Sequence, residues 1–61
     1  MNGFNYNSEQ KKITVTDNIT IVIWENVEKE FADEAGKMYS NSESFDNYLL
    51  QNNCKRFWRY I

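Results

Sequence analysis

The chain has sixty-one residues, with nine acids, seven bases, no histidine and one cysteine, for a net charge of −2. A chain of this length makes one small domain, with about 3–5 kcal/mol of stability unless something staples it. One cysteine excludes a disulfide within these residues and is too few for a structural zinc site, and the missing histidine excludes Ser-His and Cys-His nucleophile pairs.

Self-association, or folding onto a partner, is the staple that remains. The start, from Met1 to Tyr6, lacks the basic and apolar regions of a secretory signal. The longest apolar run falls far short of the ~20 residues that span a bilayer. The expectation is a soluble, cytoplasmic protein with no membrane partner and no cofactor.

Phe4 and Tyr6 alternate with Asn5 and Asn7, which reads as an outer strand. Ser8-Glu9-Gln10 is turn-like. From Lys11 to Thr16, Ile13 and Val15 alternate with Lys12, Thr14 and Thr16, the pattern of a half-buried strand. Ile19 to Trp24 follows, apolar except for Thr20, and β-branched or aromatic throughout. That run reads as the central strand, buried on both faces. On that reading, Ile21→Ala should cost about 2–5 kcal/mol.

Asp17-Asn18 joins the two strands and suits a two-residue type I′ turn. Thr16 then opposes Ile19, Val15 opposes Thr20 and Ile13 opposes Val22. This puts Ile13, Val15, Val22 and Trp24 on one face, with Thr14, Thr16, Ile19, Ile21 and Ile23 on the other. A three-residue loop would exchange the two faces.

Asn26 can cap a helix over 27–39, whose apolar stripe is Val27, Phe31, Ala35, Met38 and Tyr39. Gly36 weakens it by about 1 kcal/mol relative to alanine, and marks close packing or an early end. Ser40 with Glu43 matches a capping box, and Ser42 and Ser44 compete as caps. A shorter helix over 43–52 presents Phe45, Tyr48, Leu49 and Leu50, and Asn52-Asn53 can stop it.

The tail allows two readings. A helix continuing from Leu50 aligns Leu50, Cys54, Phe57, Trp58 and Ile61. A strand puts Phe57, Arg59 and Ile61 on one face and Arg56, Trp58 and Tyr60 on the other. Aromatic density and the asparagine pair favour the strand. Cys54 reads as a small buried hydrophobe. The expected fold is therefore α+β: a small antiparallel sheet built on the hairpin at 19–24, with extra N- and C-terminal strands. One long and one short helix cover one of its faces.

Two surfaces carry functional expectations. Between Glu25 and Asp46 lie seven acids against two lysines. Glu30, Asp33 and Glu34 lie opposite the apolar stripe and can dock on a basic partner. A thirteen-residue helix spans about 20 Å, over which duplex DNA presents about a dozen charges. The helix carries four acids, about a third of that number, so any mimicry of nucleic acid is partial. The bland alternative is a solvated face with Lys29–Asp33 and Lys37–Asp33/Glu34 pairs.

The tail offers the second surface. Lys55, Arg56, Trp58 and Arg59 combine cations with aromatics, which suits single-stranded nucleic acid or a protein interface. Packed aromatics with cations at their rim are the alternative there.

The leading expectation is a small non-enzymatic inhibitor of the phage or mobile-element kind. It would bind a nucleic-acid-handling protein through its acidic face. A single-stranded nucleic-acid binder and a subunit that folds only as an oligomer, a homodimer for instance, are the alternatives.

Overall fold

The computed structural model describes residues 3–60, with side chains through Trp58. Strands β1 (Phe4–Asn7), β2 (Lys12–Thr16), β3 (Thr20–Glu25) and β4 (Lys55–Tyr60) form one antiparallel sheet in the order β1-β2-β3-β4. Helices α1 (Lys29–Lys37) and α2 (Ser42–Gln51) fill the connection from β3 to β4. The α+β class and the terminal strands are as the sequence predicts. The tail's continuation to Ile61 lies outside the described residues.

The β2–β3 register differs from the expected one by two residues. Ile13 opposes Trp24, Val15 opposes Val22 and Thr16 opposes Ile21. The Asp17 amide donates to the Thr20 carbonyl at 2.8 Å, which carries this register into the turn and centres it on Asn18-Ile19, and the Asn18 amide donates to the Asp17 carboxylate at 2.8 Å. Neither Asp17 nor Asn18 has the positive φ that a type I′ turn needs. A shift of two preserves side-chain parity, so Ile13, Val15, Val22 and Trp24 still share a face. Phe4 and Tyr6, opposite Val15 and Ile13, extend it.

Both helices pack on that face. Ile13 and Trp24 are buried with Val27, Ala32, Ala35, Phe45, Leu49 and Cys54. Edge-to-face ring pairs link Phe4 with Tyr39, and Trp24 and Tyr39 with Phe45. The strand expected to be buried on both faces is therefore buried on one. β3 is an inner strand, but Trp24 is its only buried residue, and Ile21 and Ile23 are half-buried on the opposite face. Two short helices suffice to cover one side of a four-stranded sheet.

The first helix is shorter than its periodicity suggests. Asn26 takes a left-handed φ of 65° and ends β3 instead of capping α1. The Val27 amide then donates to the Lys11 carbonyl at 2.9 Å, and the Tyr6 hydroxyl donates to the Val27 carbonyl at 2.7 Å. Val27 is thus core, but outside the helix. Glu28 occupies the cap position without a side-chain cap bond.

Past Lys37, tight turns replace the helix, with Met38 donating to Ala35 at 3.0 Å and Asn41 to Met38 at 2.8 Å. The Asn41 side chain, not the Ser40–Glu43 box, caps α2 by accepting from the Ser44 amide at 3.2 Å. The helices are nearly equal, at nine and ten residues. Leu50 is 51% exposed and lies outside the core. Asn53 stops the second helix in the left-handed region, φ 64°, as predicted.

Candidate interaction surfaces

Glu30, Asp33 and Glu34 stand together on the exposed side of α1. Lys29 meets Asp33 at 3.0 Å one turn away, and Lys37 meets Glu34 at 3.0 Å. The hydrogen bond that Lys37 donates to Glu34 raises the lysine's pKa above its ordinary value. Such exposed intrahelical pairs are screened by solvent and contribute little, so a partner's cations can displace them easily.

Glu30 has no ion pair among the described residues. Two further pairs, Lys11–Glu28 at 3.0 Å and Arg56–Asp46 at 3.2 Å, tie the helical layer to the sheet. From Asn26 to Asn53 that layer holds six acids against two lysines. The remaining residues hold five bases against three acids, so charge is divided between the two layers.

The acidic face also has an aromatic member that the sequence pattern assigned to the core. Tyr48 of α2 packs edge-to-face on Phe31 of α1 and is only half-buried. Its phenol pKa is pushed up, first by lost hydration and then by the charges of Glu34 and Glu30. Helical spacing brought Tyr48 to the right face of α2. Only the packing of α2 beside α1 places it near the acids.

The four tail residues do not form one surface. Lys55, opposite Glu25, lies on the sheet face turned away from the helices, as does Phe57, opposite Ile23. Arg56 and Trp58, opposite Trp24 and Val22, lie on the helix-bearing face. The Arg56 guanidinium binds Asp46 and sits 5.8 Å above the Trp24 ring. The side chain of Arg59 lies outside the described residues. Phe57 and Trp58 are 47% and 57% exposed, so neither has become core.

An open cleft of about 560 Å³ lies where the helices leave Val15 and Val22 partly uncovered. Tyr39, Phe45 and the Asp46–Arg56 pair form its walls. Among the described residues, no three His, Cys, Asp or Glu side chains converge on a metal position. Cys54 is buried, its thiol donates to the Asn26 carbonyl at 3.6 Å, and burial raises its pKa. No helix among the described residues is long and apolar enough to cross a membrane. Comparison with known proteins finds no family model, no curated protein and no solved structure that matches this chain.

Proposed function

We propose that this protein is a small non-enzymatic interaction protein that docks its acidic helical layer on a basic surface of a protein partner. Nucleic-acid-handling proteins present such surfaces, and the layer would occupy one as a partial mimic of nucleic acid, in the manner of phage and mobile-element inhibitors. The cytoplasm, where a lone thiol stays reduced, is the compartment that suits it.

The observation that carries this reading is the division of charge between the layers. The acids Glu30, Asp33 and Glu34 are exposed on one helix face beside the half-buried Tyr48. Tyrosine beside a polar patch supplies contact area at low entropic cost. The tail supports nucleic-acid binding less well, because its cations and aromatics divide between two sheet faces and Arg56 is engaged by Asp46.

Affinity capture from nuclease-treated lysate tests the proposal, with the parent protein and a Glu30→Lys/Asp33→Lys/Glu34→Lys variant as baits. The parent should retain a partner after nuclease, and the folded variant should lose it. Capture that vanishes with nuclease, or strengthens in the variant, would favour nucleic acid as the ligand instead.

A further inference from the structure

The two outer strands of the sheet differ in length and in the side chains they expose. β1 is four residues long, and its outward-alternating side chains are asparagines. Phe4 and Tyr6, its apolar members, pack against the core. β4 is six residues long, with Lys55, Arg56, Phe57 and Trp58 all exposed. Among the described residues no strand lies beyond β4. Its outer side therefore offers a row of backbone donors and acceptors, the template for an added strand.

Cations on an edge strand disfavour the pairing of identical edges, because both edges carry the same charge. That accounts for Lys55 and Arg56 but not for two large exposed aromatics between them and the strand's end. Guarding an edge calls for polar side chains throughout. A cationic edge that also carries aromatics rejects a second copy of itself and attracts an acidic strand with apolar side chains.

We infer that the β4 edge binds an extended acidic segment of a partner protein by strand addition. The occupant lies antiparallel to β4. Its acidic side chains face Lys55 and Arg56, and its apolar side chains face Phe57 and Trp58. Main-chain hydrogen bonds hold it, and the alternating pockets select it. Asp46 engages one guanidinium nitrogen of Arg56 and leaves others to meet an incoming carboxylate. This surface is separate from the acidic face of α1, and the two can be tested apart.

The probe is a synthetic ten-residue peptide with Thr-Val-Val-Glu-Glu-Thr at its centre, added to the labelled full chain. Its shifts should map to β4 amides, and those amides should exchange with solvent at least tenfold more slowly. A peptide with Lys-Lys for Glu-Glu should bind at least tenfold more weakly, and so should one N-methylated on alternate amides. Phe57→Ala and Lys55→Gln should each weaken the acidic peptide about threefold or more, while Glu30→Lys should leave it unchanged.

Equal binding of the acidic and lysine peptides, or of the N-methylated peptide, would overturn the inference. Shifts confined to other elements would do so too. Concentration-dependent β4 shifts without peptide would assign the edge to a second copy. Stronger β4 shifts with oligo-dT would assign it to nucleic acid. Either result also overturns the inference.

Discussion

Ile13 and Trp24 stand directly opposite one another in the β2–β3 pair, and neither retains any exposed surface. Both belong to the buried cluster that also holds Ala32 and Ala35 of α1 and Phe45 and Leu49 of α2. Ile13→Ala should therefore leave a cavity and cost about 2–5 kcal/mol, which approaches the whole expected stability. Ile21, half-buried on the other face, should tolerate the same change at about 1 kcal/mol. Urea titration of both variants checks this, and a more severe loss at Ile21 would mean that its face is covered in solution.

The contrast shows what was legible in the sequence. Alternation identified the strands and placed Ile13, Val15, Val22 and Trp24 on one face. A register error of two residues did no harm, because side-chain parity repeats every two. Burial of the second face was not legible, since a run of isoleucines looks the same with one side covered or both. The start of α1 was hidden for a different reason. Asparagine suits both a helix cap and the left-handed region, and the deciding contact, Val27 to Lys11, is remote in sequence. The acids of the candidate site were legible from helical spacing, but Tyr48 joins them only through helix packing.

The α2 cap gives a second prediction. Asn41→Ala should cost about 0.5–2 kcal/mol, because it leaves the Ser44 amide without its side-chain acceptor. Ser40→Ala should stay within about 0.5 kcal/mol of the parent. Thermal melts of the two variants distinguish this cap from a Ser40–Glu43 box, which would reverse their order.

The two glycines should respond in opposite directions. Gly3 has φ +36°, and a Cβ there would lie 2.7 Å from the Thr16 Cβ and 2.9 Å from its carbonyl oxygen. Gly3→Ala should therefore destabilise by about 1–3 kcal/mol. At Gly36 a Cβ would meet Phe4 at 3.9 Å, an ordinary contact. No close packing requires this glycine, and Gly36→Ala should stabilise α1 by about 0.5–1 kcal/mol. Chemical denaturation of both variants reads out the signs.

Cys54 sets an alkaline limit. Burial raises its pKa above the ordinary 9.0, so the native state holds the thiol proton more tightly than the unfolded chain does. The resulting stability is complete below the unfolded value and is lost as pH rises through the folded one. Unfolding free energy should decline as pH rises above about 9, and Cys54→Ala should remove that part of the slope. Reaction with a disulfide reagent at neutral pH should be slow and should accelerate in urea.

Electrostatic docking of the acidic layer is tested most directly by the association rate with the captured partner, measured across salt concentrations from about 50 to about 500 mM. Charge reversal at Asp33 and Glu34 also removes two exposed ion pairs, so the triple-lysine variant must be checked for native structure. Glu30→Lys alone breaks no ion pair among the described residues. The account predicts that the parent's rate falls steeply with salt, that Glu30→Lys slows it severalfold, and that the triple variant slows it at least tenfold. A folded triple variant that associates at the parental rate, with the parental salt dependence, would contradict it.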